Sequence, residues 1–197
     1  MSRMNPIAAL TLYVASVLSA IVPSMHADRR ESIAGDIATV VVSETRAFAD
    51  DADGQKTALL LVSIAHYETG RSWASWIDTG KCLDPAWRQT HPQWIKAGDC
   101  DGGRSVGLWQ VFLPDASVQD RLTLAADRKA VIRAALAKAR ASLEKGIGLC
   151  GYSGEAYPRC RLAHDRLETA RAWVTRFPFH PGTDASGGDL HASTGVE

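Results

Sequence analysis

Ala58-Leu59-Leu60-Leu61-Val62-Ser63-Ile64-Ala65-His66-Tyr67 is an apolar run that stops at Glu68-Thr69-Gly70. Its Leu and Ala content is high and its β-branched content modest, so it reads as a helix from about Gln55 to Tyr67 rather than a buried strand. The run is apolar almost all round, which places it at the centre of the fold. Asp53 is the expected N-cap and Gly70 the expected stop. Glu68 therefore falls at the end of a buried helix.

Other helices extend on either side. Ile33, Ile37, Val40, Val41, Glu44 and Phe48 recur at helical steps from Ser32 to Phe48, and residues 49–54 break the pattern. Ser117 to Lys145 reads as one long helical region with Ala125, Ile132, Leu136, Ala139 and Leu143 as its apolar stripe. Arg128, Lys129, Arg133, Lys138, Arg140 and Lys145 form its solvated face. Gly146 and Gly148 end it. Arg161 to Val174 is a last helix, with Leu162, Leu167, Ala170 and Trp173 inward. Strand signals are scarce and no internal repeat is visible, so the fold class is mainly α. One domain over residues 31–180 is expected, followed by a Gly/Ser/Asp/Thr tail at 181–197 that reads as disordered.

Residues 1–30 stand apart. Arg3 precedes an uncharged run from Ile7 to Val22, then Pro23-Ser24-Met25-His26-Ala27. Three readings are open: a signal peptide cut after Ala27, an uncleaved anchor that associates with a membrane through residues 7–22, and a packed first helix. The first two imply export to the periplasm or outside the cell, or membrane anchoring.

With 46% hydrophobic residues, the 197-residue chain can bury a core. Lys+Arg and Asp+Glu are both 22, and no basic stripe appears, which argues against a nucleic-acid binder. The four cysteines, Cys82, Cys100, Cys150 and Cys160, allow three pairings. Local pairing closes two short loops and is preferred; free thiols remain the alternative, since disulfides persist only in an oxidising compartment. No zinc site is expected, because CxxC and HxxxH spacings are missing and His91 alone does not supply one. His66-Tyr67-Glu68 is not HExxH either. Neither metal nor cofactor is expected.

Residues 71–100 have little periodicity and hold Trp73, Trp76, Trp87 and Trp94 between Pro and Gly punctuation. They read either as a small core under a long loop or, for one or two of these rings, as the wall of a cleft. Asp101-Gly102-Gly103-Arg104-Ser105-Val106-Gly107-Leu108-Trp109-Gln110 follows. A glutamate in apolar surroundings can keep a proton near neutral pH and deliver it to a leaving oxygen. Gln110 offers an amide to a sugar without adding charge, and Tyr152 a hydroxyl.

In order and spacing, Glu68-Thr69, Gly107-Leu108-Trp109-Gln110 and Gly151-Tyr152-Ser153-Gly154 resemble the lysozyme-like superfamily, specifically the soluble lytic transglycosylases and goose-type lysozymes. Those proteins carry a helix ending in Glu-Ser, a Gly-Leu-Met-Gln turn and an Ala-Tyr-Asn-Gly motif. The resemblance covers about residues 33–178. It implies a mainly α, lysozyme-like domain with a substrate cleft, here bearing an insertion bracketed by Cys82 and Cys100. It implies Glu68 as catalytic acid and Ser105, Gly107, Trp109, Gln110 and Tyr152 as the substrate-binding set. Thr69, Trp109 and Ser153 depart from the pattern, and the gap from Glu68 to Gly107 is longer than expected.

The implied activity is cleavage of the β-1,4 MurNAc–GlcNAc bond of peptidoglycan by a monomer, with a transglycosylase outcome slightly favoured. Hydrolysis would need a second carboxylate, drawn from Asp78, Asp84, Asp99, Asp101 or Asp115. Two rivals remain: a non-catalytic lysozyme-like domain that binds glycan or joins a cell-wall or phage assembly, and a disulfide-stapled structural domain.

Overall fold

The computed structural model describes residues 5–44, 51–94, 99–154, 157–158 and 160–179. It opens with three long helices, α1 (Pro6–Ile21), α2 (Ala27–Glu44) and α3 (Asp51–Glu68). The short α4 (Ser75–Asp78) and α5 (Pro85–Thr90) follow, then a hairpin of β1 (Ser105–Val106) and β2 (Val111–Phe112). The chain continues through α6 (Val118–Ala125), α7 (Arg128–Glu144), α8 (Cys150–Ser153) and α9 (Arg161–Arg176). The molecule is mainly helical, as the pattern predicts.

α3 is the central helix. Ala58, Leu59, Leu61, Val62, Ile64 and Ala65 are all buried, and it packs on α9, α2, α1 and α7. It starts earlier than the sequence suggests, at Asp51, so Asp53 lies inside the first turn instead of capping it. An acidic residue there complements the positive end of the helix dipole. After Glu68 the chain turns at Gly70, whose φ of +57° suits a residue without a Cβ. The Thr69 hydroxyl secures this corner, donating to the Ala65 carbonyl at 2.8 Å and accepting from the Trp73 amide at 3.2 Å.

Within residues 7–22, Ile7 to Ile21 belong to the packed helix α1 (Pro6–Ile21) and Val22 is its C-cap. Leu10, Val14, Val17 and Leu18 of α1 are buried, chiefly against α2. The Tyr13 hydroxyl donates to the Phe177 carbonyl at 2.6 Å and accepts from the Gln55 amide at 3.0 Å. No helix among the described residues is long and apolar enough to cross a membrane.

Several expectations need correction. The region 117–145 is two helices, because Asp127 caps α7 through the Ala130 amide at 3.1 Å while Ser117 and Asp120 form a capping box on α6. Leu143 is 38% exposed; Ser142 takes the inward place and accepts the Gly151 amide at 2.9 Å. On α9, Leu162 is 51% exposed, and Ala163 and Arg166 point inward with Ala170 and Trp173. Residues 45–48 of the expected second helix, and the tail at 181–197, lie outside the described residues.

The basic face of α7 is not simply wet. Arg128 reaches Asp78 with two nitrogens at 3.0 Å, and Asp36 and Ser32 at 2.6 and 3.0 Å. Arg29 also pairs with Asp78 at 3.4 Å. The buried Asp78 thereby ties α4 to α2 and α7. Both local disulfides are present, Cys82–Cys100 and Cys150–Cys160. The first anchors the loop-rich segment to the approach of the hairpin.

Candidate functional site

The end of α3, the hairpin turn and α8 meet. The Trp109 indole N–H donates to the Leu61 carbonyl at 2.9 Å, fastening the turn to α3 two turns before Glu68. The Tyr152 hydroxyl donates to the Trp109 carbonyl at 2.5 Å, fastening α8 to the same turn. Gly107 lets the turn settle on α7: a Cβ there would lie 2.9 Å from Val131, and its φ is +66°. Three stretches far apart in sequence thus share one corner.

Glu68 is held there by a cation. Its Oε1 lies 2.9 Å from Nη2 of Arg166 on α9, with side chains 16% and 7% exposed. A second cation, Lys138 on α7, lies over the Tyr152 ring, 5.1 Å from its centroid. Burial lowers the proton affinity of the Lys138 ammonium, and the charges of Glu68 and Asp101 oppose that shift. Burial first, and then the negative charge of Glu68, push the Tyr152 phenol well above its ordinary range, with Arg166 opposing. Tyr152 is thus kept as a neutral O–H donor.

The remaining expected residues divide by exposure. Ser105 and Trp109 are fully buried and Tyr152 nearly so, so they shape this corner from behind. The Ser105 hydroxyl donates to the Asp101 carboxylate. Gln110 is half-buried, and its amide donates to the Gly107 carbonyl at 2.8 Å. Among the candidate second carboxylates, Asp78 is committed to the arginines and Asp84 caps α5 at 2.9 Å. Asp115 is exposed, the Asp99 side chain lies outside those described, and Asp101 shares Lys138 with Glu68.

Backbone strain is concentrated around the same corner. Arg71, Trp73, Cys100, Asp101 and Gln110 are non-glycine residues with φ between +46° and +68°. They follow Glu68 directly or flank the hairpin turn. Such conformations cost about 1–3 kcal/mol each and gather at working sites.

The tryptophans of the 71–100 segment differ in burial. Trp73 is buried and donates to His66 Nδ1 at 3.1 Å. Trp76 and Trp87 stack at 5.9 Å, and Trp87 stacks on His91 at 4.6 Å, forming a half-buried aromatic row. The Trp94 side chain lies outside those described.

Two cavities flank this corner without including Glu68, Gln110 or Tyr152. One, of about 400 Å³, lies between the Gly146–Cys150 turn and the start of α9. The other, of about 340 Å³, lies between α5 and Gly102–Gly103. No group of His, Cys, Asp and Glu among the described residues is arranged to hold a metal ion.

Sequence reasoning missed Arg166 and Lys138. Arg166 stands at an inward position of the α9 pattern, in step with Ala163, Ala170 and Trp173, and a charge on an apolar stripe was the available signal. Compared with known proteins, the chain matches no family model, no curated protein and no solved structure.

Proposed function

We propose that this chain is a peptidoglycan-cleaving glycosidase with a lysozyme-like fold, acting on the β-1,4 MurNAc–GlcNAc bond with Glu68 as general acid and then base. The observation that carries the reading is the meeting of Glu68, the Gly107–Gln110 turn and Tyr152 at one strained corner. No local constraint forces residues 68, 109 and 152 together.

In the transglycosylase form, Glu68 gives its proton to the glycosidic oxygen as the C1–O bond breaks. The resulting carboxylate takes the proton of the sugar's own 6-hydroxyl as O6 bonds to C1, leaving a 1,6-anhydro end. In the hydrolytic form, a second carboxylate assists water. Asp101 is the candidate beside the hairpin, its carboxylate accepting from the Ser105 hydroxyl of β1. Gln110 and the half-buried Trp76 and Trp87 are the groups through which sugar rings would be held.

The Glu68–Arg166 pair favours a second reading, a non-catalytic glycan-binding domain, because a contacting cation favours the charged carboxylate over the proton-bearing acid. Mass spectrometry of purified peptidoglycan, digested by the wild type and by Glu68→Gln, separates the two. Anhydro-muropeptides from wild type alone support the transglycosylase, and new reducing ends support hydrolysis. Absence of products from a folded wild type leaves the binding domain.

A further inference from the structure

Arg166 and Arg128 are both held by carboxylates, yet they are served very differently. Arg128 spends Nε, Nη1 and Nη2 on Asp78, Asp36 and Ser32, the pattern of a structural ion network. Arg166 is more deeply buried, and its Nε and Nη1 have no hydrogen-bond partner among the described residues. Its Nη2 engages Glu68 Oε1. An enclosed guanidinium with unmet donors is costly, and a pair of apolar side chains would be the more stable filling of that space. What the arginine does supply is a fixed place and a fixed charge for one oxygen of Glu68.

We propose that Arg166 is the positioning residue of the Glu68 site: it clamps the carboxylate at the end of α3 and favours its charged form. This rests on the glycosidase reading of the same corner. The backbone that carries Arg166 is tied to α3 independently of its side chain, because the Ser63 hydroxyl donates to the Arg166 carbonyl at 2.7 Å. Among the described residues, Lys138 from α7 and Tyr152 from α8 also bear on Glu68, and the charge of Asp101 acts on the same Lys138. Lys138 is half-buried on a long side chain and adds to the field, while Arg166 alone of these makes the direct contact shown.

The step limited at high pH is delivery of the Glu68 proton, so the alkaline limb of the rate profile reports the neutral acid. Removing a cation that contacts the carboxylate favours the neutral acid, so that limb moves to higher pH. Loss of the clamp also lets the carboxyl group wander, lowering kcat while substrate binding elsewhere is retained.

The test is the pH profile of kcat and KM on solubilised glycan strands for wild type, Arg166→Lys, Arg166→Met and Arg166→Gln, each checked for folding by circular dichroism. Met and Gln are expected to move the alkaline limb upward and lower kcat about 10- to 100-fold with KM within about twofold. Lys is expected to keep the limb near its wild-type position. An unmoved limb in folded Met and Gln variants overturns the proposal. So does failure of both neutral variants to fold, which makes Arg166 structural. A wild type inactive at every pH removes the glycosidase reading itself, and the proposal with it.

Discussion

Glu68→Gln, the natural way to silence the site, should also weaken the fold. In the wild type the Arg166 guanidinium is 7% exposed, and the charge that offsets it is the Glu68 carboxylate at 2.9 Å. Substituting Gln keeps a carbonyl oxygen within reach but deletes the negative charge. Removing one partner of a buried ion pair outright costs about 3–5 kcal/mol, mostly for the charge left behind. Retention of a hydrogen bond brings the expectation down to about 2–3 kcal/mol. For a chain of this length each kcal/mol lowers Tm by about 2–4 °C, so Glu68→Gln should melt roughly 4–12 °C below wild type. The measurement is thermal unfolding by circular dichroism or calorimetry. Adding Arg166→Met to the Glu68→Gln chain should restore much of the loss, because the stranded charge is then gone. With Arg166→Met alone as the fourth protein, they form a cycle whose coupling term isolates the pair. A Glu68→Gln variant that melts at or above the wild-type temperature would refute the assignment of Arg166 as a buried cation dependent on Glu68.

The remaining predictions concern the scaffold. Asp78→Ala should be among the most destabilising substitutions, by about 3–5 kcal/mol, since it strips the buried acceptor from Arg128 and Arg29; urea unfolding measures it, and a loss under about 1 kcal/mol contradicts the role given to the network. Removing residues 1–22 should abolish cooperative melting, because α1 covers α2 and supplies the Tyr13 hydroxyl held by Gln55 and Phe177; a truncated chain with an unchanged melt shows that the packing is dispensable. His66 has its proton affinity lowered by burial and then by Arg71, and its Nδ1 accepts from Trp73, which requires the neutral ring. The unfolded chain therefore binds this proton more readily, so the stability it contributes is present above about 6.5 and is lost as pH falls through the folded value. The fall in Tm from pH 7 to 5 should be shallower in His66→Gln than in wild type, and equal slopes would remove His66 from the account.

What was legible in the chain was whatever a single helix or turn decides locally. The apolar run at 58–67, stopped by Gly70, could be placed at the centre because no face of it is polar, and the structure buries it there. The two short cysteine loops could be paired by proximity, and they are. Errors arose where one residue has two local readings. Asp127 inside an alanine-rich stretch looks like part of one long helix, yet its side chain caps the second of two. Leu162 and Ala163 compete for one inward position on α9, and the larger side chain loses because the packed helices leave room for the smaller.

The candidate site divides along the same line. Glu68, Gln110 and Tyr152 carry their own signals, a helix end and two turns. The charge that holds Glu68 comes from a residue 98 positions away, a separation at which no periodicity or spacing rule operates. The order of the motifs suggests an acid in an apolar pocket, with burial as the dominant influence. In the structure the surroundings are charged: Arg166 contacts the carboxylate, and the Lys138 ammonium feels the charges of both Glu68 and Asp101. Burial and a contacting cation act on a carboxyl group in opposite directions. The chemistry available to Glu68 is therefore decided by a pairing that only the packing of α9 on α3 creates. That makes the Arg166 variants, more than substitution of Glu68 itself, the sharper probe of what this corner does: loss of Glu68 silences an acid, a base or a glycan contact alike, whereas movement of the alkaline limb is expected only of a proton donor.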